Sequence, residues 1–130
     1  MNKPRLIIAD DQEPQRFMFR VLLEHDCEVV GEAENGREAV EAVDRLHPDI
    51  LLMDISMPLM GGFEAARIIR ENMPEVRVVL ITQHAQRGYA EEALRMGIKG
   101  YILKARANSD LVNGMRQIIA GHAFCSDGVR

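Results

Sequence analysis

The chain has no excess of positive charge, no long apolar run and only two cysteines, and each absence excludes a class of protein. Its 130 residues include 16 Lys and Arg against 20 Asp and Glu, so the formal net charge is −4. We therefore expect no direct nucleic-acid binding by this segment, because phosphate contacts need clustered cations. A membrane-surface role is not expected for the same reason.

The longest apolar runs, such as Ile50–Met53 and Val78–Ile81, are far shorter than the roughly 20 residues that span a bilayer. Residues 1–5 lead directly into a strand-like segment and carry no signal-peptide pattern. We therefore expect a soluble, cytoplasmic protein. Cys27 and Cys125 have no neighbours at metal-ligand spacing, and we expect two unpaired thiols.

Strand-like and helix-like segments alternate five times along the chain, with short connections between them. Such units predict an α/β fold, in which helices cover both faces of a doubly wound, five-stranded parallel sheet. Right-handed crossovers restrict the topology, and the strand order 2-1-3-4-5 is the natural candidate. The predicted strands are Arg5–Ala9, Glu28–Glu32, Asp49–Asp54, Arg77–Ile81 and Gly100–Leu103.

Apolar residues at helical spacing predict the face of each helix that packs on the sheet. Pro14 suits the first turn of the first helix, and Gly97 is placed to end the fourth. Asn108 or Ser109 can cap the fifth helix. The predicted inward residues include Phe17, Met18, Val21 and Leu22 in the first helix and Ala90, Ala93 and Leu94 in the fourth.

Polar side chains follow four of the five predicted strands. Asp10 and Asp11 follow the first strand, Asp54 ends the third, Thr82 ends the fourth and Lys104 follows the fifth. In a doubly wound sheet, ligands bind outside the carboxyl ends of the strands, where the winding direction switches. We therefore expect these five side chains to converge at one edge of the sheet.

Clustered carboxylates repel one another, and a hard divalent cation with oxygen ligands offsets that repulsion. Mg²⁺ suits a site that keeps several waters, while Lys104 and Thr82 would add a fixed charge and a hydroxyl. This set can receive a phosphoryl group, with Asp54 as the nucleophile. Each residue alone also fits a helix cap, a solvated turn or a surface charge; their joint placement favours the phosphoryl site.

These residues resemble the receiver domain of bacterial two-component response regulators, a flavodoxin-like fold, from about Arg5 to Gly121. The resemblance implies that Asp54 is the phosphoacceptor, that Asp11 binds Mg²⁺ directly and that Asp10 acts mainly through water. The matching segments are Ile8–Asp11, Leu52–Pro58, Leu80–Thr82 and Gly100–Lys104.

The resemblance assigns roles to four further residues. The backbone carbonyl of Ser56 would be a metal ligand, and Thr82 and Lys104 would hold the phosphoryl oxygens. Tyr101 would be the switch aromatic, whose rotamer follows Thr82. By its position in the sequence alone, Tyr101 is a half-buried strand aromatic.

Three positions depart from the pattern common in that family. Ala105 stands where proline is frequent, and we expect a trans bond before it, or strain. Gln83 replaces a small residue, and its bulk would screen an acyl phosphate from water. Gly61 replaces a polar residue and would loosen the loop beside the phosphoacceptor. His84 would lie near the rim of the site, where an ordinary loop histidine is the favoured interpretation.

The domain is expected to span residues 1–121, with residues 122–130 beginning a linker to an absent output domain. The tail from Met115 resembles receivers joined to a LuxR-type helix-turn-helix domain. The resemblance implies a sensor histidine kinase as phosphodonor, an output surface on the fourth helix, fifth strand and fifth helix, and a possible homodimer. The segment would then be a regulatory domain in transcription regulation rather than an enzyme.

Two alternatives remain at this stage. The first is a Mg²⁺-dependent phosphatase with an aspartate nucleophile, but such enzymes have a second carboxylate two residues after it, where this chain has Ser56. The second is a pseudo-receiver, an interaction module that is never phosphorylated. Phosphomonoester turnover would distinguish the first, and failure to bind Mg²⁺ would distinguish the second.

Overall fold

Strands and helices alternate around one parallel sheet in the computed structural model, which describes residues 2–129. The strands are β1 (Arg5–Ala9), β2 (Glu28–Ala33), β3 (Ile50–Asp54), β4 (Arg77–Thr82), β5 (Gly100–Leu103) and β6 (Phe124–Cys125). The helices are α1 (Glu13–Leu23), α2 (Gly36–Leu46), α3 (Gly62–Asn72), α4 (Arg87–Arg95) and α5 (Ala107–Ile119). A single 3₁₀ turn, Lys104–Arg106, joins β5 to α5.

The sheet order is β2-β1-β3-β4-β5-β6, and every pairing is parallel. The predicted doubly wound fold, its five helices and the order 2-1-3-4-5 are therefore confirmed. The predicted number of strands is wrong by one, because β6 adds a sixth strand beyond β5. That strand has only two residues, too few to give a periodic pattern in the sequence.

Residues 124–126 pair with β5 through their backbone. The amide of Phe124 donates to the carbonyl of Lys99 at 2.9 Å, and the amide of Ser126 donates to the carbonyl of Tyr101 at 2.9 Å. The buried Ser126 hydroxyl also accepts a hydrogen bond from the Leu103 amide at 3.1 Å. That residues 122–130 begin a linker stays a prediction; the structure adds that part of this segment is held against the sheet.

The sheet separates two apolar clusters, because alternate strand residues point to opposite faces. Ile7, Leu51 and Leu80 lie on the face covered by α2, α3 and α4. Leu52 and Ile81 lie on the other face, covered by α1 and α5. All five residues of β3 are buried, so a run of apolar side chains anchors Asp54 at its end. Burying one Leu or Ile side chain stabilises the fold by about 1.5–3 kcal/mol.

The inward face of α1 differs in part from the prediction. Met18 and Leu22 are half-buried and pack against the apolar cluster on that face of the sheet, as predicted. Phe17 and Val21 are 58% and 49% exposed, so their predicted inward placement is wrong. Phe19 and Leu23 are buried instead, and Arg16 occupies the third inward position of the same face. An apolar pattern cannot reveal that a guanidinium fills an inward position of the helix. The predicted inward face therefore included two residues that turn toward solvent.

The ends of α4 and α5 were predicted in part. Gly97, with φ +80°, follows the end of α4, as expected for a helix-ending glycine. Leu94 is 71% exposed, so its inward placement was wrong, whereas Ala93 is buried. The cap prediction for α5 was also wrong: the 3₁₀ turn runs into the helix, and Ser109 donates its hydroxyl to the Arg106 carbonyl.

Every peptide bond among the described residues is trans, so the trans bond predicted between Lys104 and Ala105 is confirmed. None of the helices that the structure describes is both long enough and apolar enough to cross a bilayer.

Candidate functional site

The carboxyl ends of four neighbouring strands bring the predicted site residues to one edge of the sheet. Asp54 is the last residue of β3, at the centre, and Asp10 follows β1, on one side of it. Thr82 is the last residue of β4, on the other side, and Lys104 follows β5. The winding direction switches between β1 and β3, so the acidic residues lie at the position where this architecture binds ligands.

Three carboxylates form the acidic part of the site. Asp10, Asp11 and Asp54 each offer an oxygen atom, and these oxygens all lie within 4.8 Å of one another. Asp10 is fully buried and Asp54 is 5% exposed, whereas Asp11 is exposed. Two carboxylates of the cluster are therefore buried, and the third is open to solvent.

Lys104 joins two of these carboxylates. Its Nζ atom lies 2.9 Å from Asp10 Oδ2 and 3.0 Å from Asp54 Oδ2. Burial raises the pKa of the Asp54 carboxyl, and the hydrogen bond from Lys104 lowers it, with a net pKa above the usual range. Burial lowers the pKa of the Lys104 ammonium, but its hydrogen bonds to the two carboxylates leave that pKa above its usual value.

Backbone groups fix the orientation of the acids. The Gln12 amide donates to Asp10 Oδ1 at 2.9 Å, and the Ser56 amide donates to Asp54 Oδ1 at 3.2 Å. Behind Asp54, the start of α3 packs against the strand end: a Cβ atom on Gly62 would lie 2.4 Å from the Asp54 carbonyl oxygen. A glycine at that position therefore lets the loop after β3 return close to the site.

A cavity of about 390 Å³ opens over the acidic cluster. Gln12, the residue before α1, and Gln15, in its first turn, were not predicted as site residues. Gln12 is next to Asp11 and Gln15 follows Asp11 by about one helical turn, and these positions were a signal for them. Gln83, the bulky residue after Thr82, also lines the cavity. The lining residues are Asp11, Gln12, Gln15, Asp54, Ser56, Gln83 and Lys104.

Thr82 and Tyr101 both contact the backbone of His84. The buried Thr82 hydroxyl accepts a hydrogen bond from the His84 amide at 3.1 Å. The Tyr101 hydroxyl donates to the His84 carbonyl at 2.7 Å, and burial raises the pKa of that phenol to about 12. The ring of Tyr101 points into the core and is 4% exposed, so it is more deeply buried than a half-buried strand aromatic.

The side chain of His84 is part of the rim of the site. Its Nε2 atom lies 3.3 Å from the hydroxyl of Ser56, and its ring centroid lies 4.7 Å from that of Tyr89 on α4. The sequence favours an ordinary loop histidine, and that interpretation stays a prediction. The contacts nevertheless connect the loop after β3 to the start of α4.

The donor set fits Mg²⁺. Three carboxylates provide hard oxygen ligands, and one ammonium leaves most of their negative charge uncompensated. Asp11 is exposed to the cavity, so a bound cation would keep water ligands, as Mg²⁺ prefers. Ser56 lines the same cavity, and the role of its carbonyl stays a prediction.

Comparison with known proteins connects this geometry to a family. A family model described as the response regulator receiver domain matches residues 6–116. The chain is 34% identical over 125 residues to the transcriptional regulatory protein DegU of Brevibacillus brevis, covering 95% of this chain and 53% of that protein. It is 36% identical over 118 residues to the transcriptional regulatory protein DesR of Bacillus subtilis, covering 89% and 58%. The chain thus spans little more than half the length of these relatives.

The fold is similar to that of solved structures over almost the whole chain. A LuxR-family two-component response regulator from Aurantimonas sp. SI85-9A1 superposes with a TM-score of 0.93 at 32% identity, covering 98% of this chain and 93% of that one. The isolated REC domain of RcsB from Salmonella enterica serovar Typhimurium, solved in the presence of phosphomimetic BeF3−, gives 0.91 at 27% identity, covering 98% and 96%.

Proposed function

The chain belongs to the response regulator receiver domain family, and from that premise we propose that it is a switch operated by phosphorylation of Asp54. One observation carries the proposal. The Lys104 ammonium lies within 3.0 Å of both Asp10 and Asp54, under a cavity open to solvent. A nucleophilic carboxylate beside a fixed cation is suited to receiving a phosphoryl group.

In the proposed reaction, a sensor histidine kinase presents a phosphohistidine. A carboxylate oxygen of Asp54 forms the new O–P bond while the P–N bond of the phosphohistidine breaks. The electron pair of that bond stays on the leaving imidazole nitrogen. The hydrogen bonds to Asp54 from Ser56 and Lys104 hold its carboxylate plane before transfer, which lowers the entropic part of the barrier.

Lys104 and Thr82 act on the phosphoryl oxygens. Asp10 holds the ammonium in place, and the ammonium has a third proton to donate to a phosphoryl oxygen. The Thr82 hydroxyl accepts a bond from the His84 amide, so its own proton is available as a donor. Asp10, Asp11 and Asp54, with the Ser56 carbonyl, would hold Mg²⁺, which supplies positive charge to offset the acids and the transferring oxygens.

Transmission from the site would run through His84. The new charge on Asp54 draws Thr82 and Lys104 inward, and the His84 backbone is bonded to both Thr82 and Tyr101. A shift of these groups changes the relative stability of two arrangements of α4 and β5, and phosphorylation selects one of them. The output surface would be α4, β5 and α5.

The proposed partners are the kinase and an output domain, with a homodimer as a further possibility. The relatives in the comparison are named transcriptional regulatory proteins, and this chain spans little more than half of their length. We propose that a LuxR-type helix-turn-helix domain continues the chain, and that the receiver controls transcription through it. That the protein works in the cytoplasm also stays a prediction.

The test is phosphorylation by a small phosphodonor. The protein is incubated with acetyl phosphate and Mg²⁺, and its intact mass is measured. We expect a mass increase of one phosphoryl group in the wild type and in Asp44→Asn, an exposed aspartate of α2, but none in Asp54→Asn. Equal labelling of the Asp54→Asn variant would overturn the proposal, and sustained hydrolysis of a phosphomonoester would favour the phosphatase instead.

A further inference from the structure

Arg16 is a charged residue in an inward position of α1, and only 7% of it is exposed. Its Nη1 atom donates to the backbone carbonyl of Asp10 at 2.7 Å. Its Nε atom donates to Glu32 Oε1 on β2 at 2.8 Å. A buried guanidinium is costly unless it is paired, and both of these contacts satisfy it.

The carbonyl that Arg16 binds belongs to the peptide unit between Asp10 and Asp11. Because that unit is planar, a hydrogen bond to its oxygen fixes the orientation of the whole plane. The plane in turn sets where the Cα atom of Asp11 lies and where its side chain begins. Asp11 is the exposed carboxylate of the cluster. The side-chain amide of Gln12 donates to its Oδ2 atom at 3.3 Å, which is a long hydrogen bond.

The remaining polar groups of Asp10 are fixed by other partners. Its amide donates to the Ala33 carbonyl at 3.0 Å, and its carboxylate accepts from the Gln12 amide and from Lys104. These bonds hold the Asp10 side chain and the start of its backbone. Arg16 is the group that holds the peptide leading from Asp10 to Asp11.

Glu32 keeps Arg16 in this orientation. The carboxylate of Glu32 accepts from Arg16 through one oxygen and pairs with Arg20 through the other. Arg16 and Arg20 lie one turn apart on α1, so the Glu32 carboxylate ties that face of the helix to β2. The guanidinium of Arg16 is therefore supported on two sides before any ligand enters the cavity.

We infer that Arg16 is a positioning residue for the cation site, acting through the peptide between Asp10 and Asp11. The inference rests on the proposed function, because it concerns the Mg²⁺ that phosphoryl transfer would require. Arg16 itself does not line the cavity; its effect passes through the backbone of its neighbours.

The direction of the change in Mg²⁺ affinity distinguishes a positioning role of Arg16 from an effect of its charge. Arg16 is a cation close to a cation site, so on electrostatic grounds alone its removal should strengthen Mg²⁺ binding. Loss of a positioning bond should instead weaken Mg²⁺ binding, since the carboxylates would no longer be held for it. A purely structural role changes the free energy of unfolding and leaves the affinity of the folded protein unchanged.

The experiment is a titration with MgCl₂ alone, followed through backbone amide chemical shifts in ¹H–¹⁵N NMR spectra, which also report whether each variant is folded. We expect Arg16→Met to bind Mg²⁺ roughly 10-fold more weakly than the wild type, the loss typical of an outer-shell partner. Arg16→Lys keeps the charge, but one ammonium reproduces the two-armed contact poorly, so we expect a similar loss. Arg16→Lys carries the test should Arg16→Met fail to fold.

Arg77→Met is the matched control. Arg77 also donates from Nη1 to a backbone carbonyl, that of Ile118, at 2.6 Å, but it begins β4 and so lies at the opposite edge of the sheet. We expect its Mg²⁺ affinity to match the wild type within about twofold, as for distant, independent sites.

In phosphorylation by acetyl phosphate, raising the Mg²⁺ concentration should restore the labelling rate of Arg16→Lys.

The outcomes are separable. Unchanged or tighter Mg²⁺ binding by a folded Arg16→Lys or Arg16→Met variant would overturn the positioning role and leave the proposed function standing. Equal weakening in Arg77→Met would also overturn it, because the effect would then not depend on the contact with Asp10. A wild-type protein that binds no Mg²⁺ would overturn the proposed function, and the inference with it.

Discussion

Lys104 Nζ lies 3.0 Å from Asp54 Oδ2, although 50 positions separate the two residues in the chain. The bond forms because β3 and β5 flank β4 and end at the same edge of the sheet. It does not fully compensate for the burial of the Asp54 carboxylate, whose pKa stays above the usual range. The metal-free site therefore holds a carboxylate that is destabilised when ionised, and this has a measurable consequence.

We predict that Asp54→Asn raises the free energy of unfolding at pH 7 in the absence of Mg²⁺. A raised pKa means that folded Asp54 binds its proton more tightly than the unfolded chain does. Stability therefore falls as the pH rises from the unfolded pKa of about 3.9 through the folded pKa. Asparagine removes that loss, so the gain should be present at pH 7 and vanish below about pH 3.9. Urea unfolding at both pH values measures it.

Asp44→Asn is the control for this measurement, because Asp44 is exposed on α2 and should show no comparable gain at pH 7. An Asp54→Asn variant that is no more stable than the wild type at pH 7 would contradict the prediction. It would mean that the Lys104 bond outweighs the desolvation of the carboxylate.

A second prediction concerns the hydrogen bond from Tyr101 to the His84 carbonyl. Tyr101→Phe should lower the free energy of unfolding by about 1 kcal/mol at pH 7, the usual net contribution of one such bond. The folded pKa of Tyr101 is about 12, above the ordinary value of about 10, so the wild type loses stability as the pH rises between these values. The difference between the two proteins should therefore shrink above pH 10.

Urea unfolding at pH 7, 9 and 11 tests this, with Tyr89→Phe as the control, because Tyr89 is partly exposed on α4. A difference between wild type and Tyr101→Phe that grows with pH would contradict the raised pKa. Tyr101→Phe should still accept the phosphoryl group on Asp54 from acetyl phosphate, because Tyr101 does not line the cavity over the acidic cluster.

A third prediction uses the two glycines before α3. A Cβ atom on Gly62 would lie 2.4 Å from the Asp54 carbonyl oxygen, whereas one on Gly61 would lie 3.2 Å from the Ile55 carbonyl oxygen. Gly62→Ala must displace the backbone beside Asp54, and we expect it to lower stability by about 1–3 kcal/mol. Phosphorylation of Asp54 should slow in the same variant, measured with acetyl phosphate and intact mass.

Gly61→Ala should have a smaller effect on both quantities, since its neighbour need move only a few tenths of an ångström. Equal effects at the two positions would show that general backbone stiffness in the loop, rather than the contact with Asp54, explains the loss.

Much of the site could be predicted because parallel strands place their carboxyl ends together. Asp54 ends a buried strand and Asp10 directly follows the neighbouring strand, so their proximity follows from the topology. To predict that residues distant in the sequence lie close together in this way, only the strand order of the sheet must be correct. The bond of Lys104 to both acids needs side-chain geometry, which a strand pattern does not contain.

The parts that could not be predicted are those where a local pattern conflicts with a tertiary requirement. Arg16 fills an inward position of α1 because the Asp10 carbonyl needs a donor there, and no apolar periodicity reports this. Phe17 and Val21 are apolar but exposed, so the apolar periodicity assigned two solvent-facing residues of α1 to its inward face. The two residues of β6 were missed because two residues give no period, and because the contact of Phe124 with α5 is tertiary and absent from any local pattern.

That contact provides the last prediction. A Cβ atom built on Gly114, in the middle of α5, would lie 2.7 Å from a ring carbon of Phe124 on β6. Glycine inside a helix normally destabilises it by about 1 kcal/mol relative to alanine. We infer that the Phe124 ring occupies the space that a side chain at position 114 would need. Whether Gly114→Ala raises or lowers the free energy of unfolding should therefore depend on that ring.

In the wild-type background, Gly114→Ala should lower the free energy of unfolding, because overpacking of about 1–3 kcal/mol exceeds the gain in helix propensity. In a Phe124→Ala background the ring is absent, and Gly114→Ala should raise the free energy of unfolding by up to about 1 kcal/mol. Urea unfolding of the four proteins gives the coupling between the two positions. Gly88→Ala, where a Cβ would meet nothing within 4 Å, should have the same effect in both backgrounds. Equal effects of Gly114→Ala with and without the Phe124 ring would show that β6 does not determine the residue at position 114.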